Sequence, residues 1–291
     1  MVRLAATHIA EFLDPTGVTT DLTSLPGVIT LGSTGLEMPP FDRIEEDTPA
    51  GVRLRTVRAR PRDVNLQVYV EQANQLSLRT FLRSMAAKMN PLRGDGTLRS
   101  YLSDGTSRDL ICRYTDGLAG QRVIGQSGAN YRLAVLTFRA FDPFWYDTTP
   151  VSLSYGTGAQ PVFLGNPFLG LNLAADNVIG TSTITNAGDV EAWPVWTING
   201  PVTGIKLTNT TTGEVIDLPV TLTVGQSVVI DTRPFKKTIK RDDGTNLYGT
   251  LVTTSTLWSL RTGMTSILVE LPGATGATYA TLNYQRRYLT A

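Results

Sequence analysis

The sequence has very little of the chemistry that enzymes use, with one histidine, His8, and one cysteine, Cys112, in 291 residues. A Ser-His-Asp or Cys-His mechanism needs a histidine beside its nucleophile, and a zinc site needs several nitrogen or sulfur ligands. The single cysteine also excludes an internal disulfide, and its apolar surroundings favour a buried, inert thiol. The composition therefore predicts no catalytic residue, no metal and no cofactor.

A strong charge of one sign and long apolar runs are also missing. The formal net charge is +1, so no large field favours nucleic acid or an anionic membrane. There is no apolar run of about 18 residues, the length that a membrane span needs. Residues 1–14 are interrupted by His8, Glu11 and Asp14, unlike the apolar core of a signal peptide. We expect a chain made in a cytoplasm, without a signal peptide or membrane insertion.

Carboxylates occur close together at two places, where a glycan-cleaving pair could in principle lie. These are Glu45-Glu46-Asp47 and Asp242-Asp243, which precedes Gly244. Adjacent acids beside Gly and Pro are more often solvated turn residues. The pattern favours turns over catalysis at both places.

The composition changes near residue 150. Residues 1–150 contain 33 Asp, Glu, Lys and Arg, whereas residues 151–291 contain 18, together with 25 Thr. Just before the change, an apolar strand runs into an aromatic corner. We expect two domains, 1–150 and 151–291, with candidate junction residues Phe141, Pro143, Phe144, Trp145 and Tyr146.

The first half reads as mainly β with one packed helix at about 77–90. Ser77 is the expected N-cap, apolar residues follow at helical spacing, and Pro91 ends the helix. Residues 32–51 are expected to form a long acidic loop rich in Pro and Gly. Residues 52–70 alternate as a strand, and a phase slip around Thr56 and Val57 predicts a bulge.

Five arginines recur along that alternating segment. They are candidate contacts with a neighbouring subunit or with a lumen: Arg53, Arg55, Arg58, Arg60 and Arg62. Two other interpretations stay open, a solvated strand face that discourages edge pairing and direct nucleic-acid binding. The acidic residues upstream could neutralise part of the strip.

The second half alternates in short strands separated by turns, which predicts a β-sandwich or barrel. The expected strands are Ser182–Asn186, Val195–Ile198, Ile205–Thr208, Val215–Leu218, Val228–Asp231, Trp258–Leu260, Ser266–Leu271 and Ala277–Tyr284. Trp193, Trp196 and Trp258 lie in strand-like patterns. Core packing is favoured over a sugar-stacking platform for them.

Several motifs in order along the chain resemble those of phage distal tail proteins, the baseplate hub of long non-contractile tails. The resemblance runs from about residue 50 onward and is carried by Gly51–Arg55, Pro61–Leu66, Met89–Pro91, Gly96–Arg108, Cys112–Gly117, Phe138–Asp147, Asn186–Asp189, Trp193–Gly200, Leu207–Gly213, Val229–Asp231 and Lys236–Lys240.

This resemblance implies a mainly β structure, with a split-barrel-like belt domain that forms a ring, usually a hexamer, and a galectin-like β-sandwich that points outward. The ring would join the tail tube protein to tail tip or tail-associated proteins at the virion tail tip. It would carry receptor-binding or fibre proteins and let DNA pass through its lumen. The alternative is a carbohydrate-binding adhesin that itself attaches to the host.

Overall fold

The structure of the protein is a computed structural model that describes residues 9–118, 127–156 and 178–291. His8 lies outside the described residues. The chain divides into two compact units. The first unit comprises Met1–Thr148 together with Tyr288–Ala291, and the second comprises Thr149–Arg287.

The first unit is mainly β. Its strands and helices are β1 (Ile9–Leu13), β2 (Thr19–Asp21), β3 (Thr23–Ser24), β4 (Gly27–Thr34), β5 (Phe41–Thr48), β6 (Gly51–Ala59), β7 (Arg62–Glu71), α1 (Gln75–Lys88), a short 3-10 helix (Pro91–Arg93), β8 (Gly96–Tyr101), β9 (Ser107–Asp116), β10 (Tyr131–Ala140) and β11 (Trp145–Asp147).

An antiparallel sheet in the order β2-β1-β8-β9-β10-β7-β4-β3 forms the body of this unit. Strand β7 lies near its centre and pairs with β10 on one side and β4 on the other. Every second residue of β7 is buried, from Arg62 through Val64 and Leu66 to Val70. This strict alternation places the core on one face of the strand.

Helix α1 confirms the predicted helix, although it begins two residues earlier. Asn74 is the N-cap, and its side chain accepts a hydrogen bond from the backbone N–H of Ser77. Ser77 is therefore not the N-cap that the sequence indicated. It is the third helical residue, whose hydroxyl completes a capping box with Asn74. Leu78 and Met85 are the buried residues on the core face.

The expected loop over residues 32–51 is wrong in its central part. Residues 41–48 form β5, which pairs along its whole length with β6. The register places acidic residues of β5 opposite β6, with Asp42 across from Arg58 and Glu46 across from Arg53. Opposite charges on facing strands stabilise such pairs. The composition of the segment does not show which residues face each other.

The second unit consists of two antiparallel sheets. The strands are β12 (Val151–Gly156), β13 (Val178–Asn186), β14 (Val195–Asn199), β15 (Ile205–Asn209), β16 (Glu214–Leu218), β17 (Ser227–Asp231), β18 (Thr238–Arg241), β19 (Gly263–Glu270) and β20 (Tyr279–Tyr284), with a 3-10 helix at Tyr248–Thr250; β21 (Arg287–Tyr288) follows. One sheet has the order β12-β20-β14-β17-β18, and the other β13-β19-β15-β16.

Both sheets contribute side chains to a single core, which confirms the predicted β-sandwich. Trp196 of β14 and Trp258 are its largest residues, packed edge to face with ring centroids 6.1 Å apart. Trp258–Leu260 is not a strand, however. Leu260 forms only an isolated bridge with Ala192, and its backbone exchanges two hydrogen bonds with that residue.

The second unit should fold when produced alone as Thr149–Arg287, since it has its own core and both sheets. We expect this fragment to unfold cooperatively and to retain the near-ultraviolet circular dichroism of packed tryptophans. Full-length protein is the reference for both signals. A fragment with β-rich far-ultraviolet spectra but no tryptophan signal and no cooperative transition would contradict the prediction.

Candidate assembly surface

The hairpin formed by β5 and β6 is a separate two-stranded sheet within the first unit. Nearly all of its residues are exposed or half-buried. A two-stranded hairpin without a packed face is marginally stable in water. Such an arm gains stability when another surface covers it.

A bulge at Arg55 decides which side chains share a face of this hairpin. Ile44 lies opposite Thr56, and Glu45 lies opposite Leu54, so Arg55 is the extra residue of β6. This confirms the predicted bulge, one residue earlier than the phase slip indicated. Without the extra residue, Leu54 and Val57 would lie on opposite faces of the hairpin, because strand side chains alternate.

The bulge brings four apolar side chains onto one face of the hairpin, where Arg43, Glu45 and Asp47 also lie. Val57 lies opposite Arg43, Leu54 opposite Glu45, and Val52 opposite Asp47. By the alternation of strand side chains, these positions share a face with Phe41. We call Phe41, Val52, Leu54 and Val57 the apolar face. Their exposed fractions are 37%, 63%, 54% and 48%.

The opposite face is polar apart from Ile44, and it carries Arg53 and Arg58. Two other predicted arginines pair with acids of the same hairpin. The Nη2 of Arg55 lies 2.5 Å from a Glu46 carboxylate oxygen, and the Nε of Arg60 lies 3.4 Å from an oxygen of Asp42. All four side chains are about half exposed, so each pair stabilises little. The hairpin largely balances its own charge.

Arg62 is not the surface contact that the sequence predicted. Its side chain is 2% exposed, because Arg62 lies on the buried face of β7. The guanidinium donates to the carbonyl oxygens of Leu36 at 3.1 Å, Glu37 at 2.6 Å and Leu289 at 2.8 Å. Burial lowers the pKa of Arg62 to about 10, and the group stays charged at neutral pH. It holds two segments of the first unit together.

The predicted junction residues divide into buried and exposed positions. Trp145 is fully buried in the core of the first unit, and its Nε1 donates to the Leu36 carbonyl at 3.1 Å. The tryptophan therefore packs inside that unit, and Pro143 is also buried. The Tyr146 hydroxyl donates to the carboxylate of Asp142. Phe141 is 60% exposed, while Phe144 is half-buried.

Cys112 is buried in the first-unit core, where the lack of solvation raises the pKa of its thiol well above the usual range. In the part of the chain that the structure describes, no three metal-ligating side chains come together. Among the same residues, no helix is long and apolar enough to cross a membrane. The acids 45–47 belong to β5, and Asp243 accepts a turn hydrogen bond from the N–H of Thr245 at 2.8 Å.

The tryptophans of the second unit are arranged mainly for packing. Trp196 and Trp258 are at most 1% exposed, and the Trp258 Nε1 donates to the Leu207 carbonyl at 3.2 Å. Trp193 is half-buried, with the Lys237 ammonium 5.9 Å from its ring centroid. The core interpretation is confirmed for Trp196 and Trp258, and neither presents a face to a sugar.

Residues 187–288 match the family described as siphovirus-type tail component, C-terminal domain. The second unit is therefore similar to the C-terminal domain of siphovirus-type tail components. No curated protein is significantly similar to it in sequence. The matched segment covers most of the second unit, including both tryptophans of its core.

Solved structures extend the likeness in fold to nearly the whole chain. The SPP1 Dit (gp 19.1) protein, described as a paradigm of hub adsorption apparatus in phages that infect Gram-positive bacteria, is 12% identical with a TM-score of 0.67. The alignment covers 95% of this chain and 98% of that one. A chain of the phage P2 baseplate in its activated conformation with Ca is 11% identical with a TM-score of 0.59, covering 97% and 99%.

The apolar face is the part of the candidate surface that the sequence pattern alone does not indicate. The segment 52–58 was interpreted through its arginines, which are the most conspicuous residues. Val52, Leu54 and Val57 stand out only when the phase slip is used to bring them onto one face. That slip is visible in the sequence, but its consequence depends on the partner strand, whose acidic composition predicts a loop.

Proposed function

We propose that this protein is the distal hub of the tail, a ring of six copies built through the first unit. Structural proteins of this type are not enzymes, which agrees with a composition poor in catalytic groups. The likeness in fold to the SPP1 hub protein supports the assignment. The observation that carries the ring itself is the apolar face of the β5–β6 hairpin.

In a closed ring, each copy offers one surface to the next copy and a different surface to the previous one. A projecting hairpin suits this head-to-tail arrangement, because its apolar face can be covered by the neighbour on one side only. Covering the four side chains removes apolar area from water at each interface, with a gain of roughly 25 cal/mol per Å². We propose a second copy of this chain as what covers the apolar face.

The remaining roles follow from the hub position. The first unit would join the tail tube protein to the tail tip or tail-associated proteins, and the second unit would carry receptor-binding or fibre proteins. DNA would pass through the lumen of the ring. A net charge of +1 suits a passage, since a strongly basic lumen would retain the phosphate backbone.

The alternative of a carbohydrate-binding adhesin loses two of its three candidate tryptophans, Trp196 and Trp258, while Trp193 is half-buried. That hypothesis needs an aromatic ring open to stack on a sugar, and Trp258 is 1% exposed. The hub assignment needs no such ring.

Purified full-length protein should assemble into particles of about six times 31.6 kDa, measured by light scattering or native mass spectrometry over a concentration series. Because an apolar interface is insensitive to screening, the assembly should persist at about 0.5 M NaCl. A contact made mainly by Arg53 and Arg58 would instead dissociate with salt. A chain that stays monomeric both in solution and in tail particles contradicts the proposal.

A further inference from the structure

The loop between β17 and β18 contains a turn with an unusual residue at its tip. The backbone N–H of Lys236 donates to the carbonyl of Arg233 at 3.1 Å, closing a four-residue turn. Pro234 is its second residue and Phe235 its third, with φ of 63°. A turn with proline second and positive φ third has the type II pattern, whose third position favours glycine because a Cβ is crowded there.

Among the described residues, Phe235 is the single residue other than glycine whose φ is positive. Its side chain is fully exposed, so burial does not compensate for the strained backbone. Nothing within the fold of this unit explains a phenylalanine at this point. A strained residue at an exposed loop tip is typical of a functional site.

The base of the loop is held firmly. The Arg233 side chain binds both carboxylate oxygens of Asp231, with Nε to Oδ1 at 2.9 Å and Nη2 to Oδ2 at 2.6 Å. The buried Thr232 hydroxyl donates to the Pro194 carbonyl at 2.7 Å. The ring of Phe235 is therefore presented on an ordered support, which lowers the entropy lost when it binds.

Positively charged residues lie on both sides of Phe235 in the sequence. Lys236 and Lys237 follow it directly, and Arg233 is two residues before it. The neighbouring acid, Asp231, is already paired with Arg233. A complementary surface would offer an apolar pocket for the ring and acidic side chains around that pocket.

We infer that Phe235 is the anchor of a docking site on the second unit for another protein of the tail, one with an apolar pocket rimmed by acidic residues. The inference rests on the proposed hub function, which requires the second unit to carry other proteins. Buried aromatic anchors surrounded by weaker contacts dominate the binding energy of many protein interfaces. A single ring between cations suits such a pocket better than it suits a sugar platform.

The first test uses the full-length protein with p-benzoylphenylalanine, a photo-crosslinking analogue of phenylalanine, in place of Phe235 in assembled tails. The matched position is Tyr248, an aromatic residue of the same unit that is 43% exposed. We expect position 235 to crosslink to one other tail protein, at a segment containing apolar and acidic residues, and position 248 not to reach that segment. Crosslinks only to a second copy of this chain or to a host polymer, or none, would overturn the inference.

The second test separates binding from folding. Phe235→Gly removes the ring and relieves the strain, so we expect the thermal midpoint of the second unit to rise by a few degrees while the crosslinked protein is lost from tails by about tenfold or more. Lys236→Glu with Lys237→Glu should weaken incorporation similarly. Unchanged incorporation in both variants would refute the docking site.

Ring mass is measured on the same variants. Six-copy rings that lack the docked protein support the inference, and six-copy rings that retain it overturn the inference alone. Loss of the ring in wild-type protein would instead count against the proposed hub function.

Discussion

Replacing Leu54 with lysine and Val57 with glutamate should abolish ring assembly while the protein stays folded. Leu54 lies opposite Glu45, and Val57 lies opposite Arg43, so each new charge faces an opposite charge and the hairpin keeps its cross-strand pairing. The net charge of the chain does not change. Each interface loses two apolar contacts worth about 1.5–3 kcal/mol each, which predicts at least a hundredfold weaker association per interface.

The matched control places the same two charges on the other face of the hairpin. Ile44→Glu and Thr56→Lys are also directly opposite each other, and Ile44 is 43% exposed. This variant should form rings of normal mass in light scattering. If the apolar-face variant assembles as well as its control, then the apolar face is not the subunit interface.

Arg62→Met should strongly destabilise the first unit, whereas Arg60→Met should not. Arg62 is buried and donates to four carbonyl oxygens. Methionine fills much of the space but leaves those acceptors without their charged donor, a loss of about 3 kcal/mol or more. For a unit of this size, the thermal midpoint should fall by roughly 6–12 °C.

Calorimetry of the two variants tests this difference. Arg60 has a half-exposed partner in Asp42, and such pairs contribute little. Equal small shifts in both variants would mean that the carbonyls near Arg62 find other donors. Loss of assembly without loss of stability in Arg62→Met would restore the original prediction that this arginine contacts another subunit.

The two β-rich units and the sandwich could be predicted because alternation and turn residues are local signals. The same alternation already indicated that Arg62 faces inward, since it shares the phase of Val64 and Leu66. Residue type misled the prediction, because arginine is seldom buried. The carbonyl partners of Arg62 come from positions as far away as Leu289, and no local sequence pattern predicts them.

Strand β5 and the apolar face were harder to predict because both depend on pairing between strands. The acidic residues of β5 resemble a loop until they are placed opposite the arginines of β6. The bulge at Arg55 could be inferred from the sequence, but the face that it creates requires the register. Phe235 was missed for a similar reason, since its strain is a property of the backbone and not of residue order.

The chain enters and leaves the second unit through neighbouring strands. Val151 of β12 lies directly opposite Tyr284 of β20, and the first unit resumes at Tyr288. In topological terms the second unit is an insertion with adjacent ends, the arrangement that best tolerates exchange of one domain for another. Exchange of the second unit for a different domain would therefore leave the strand pairing of the first unit unchanged.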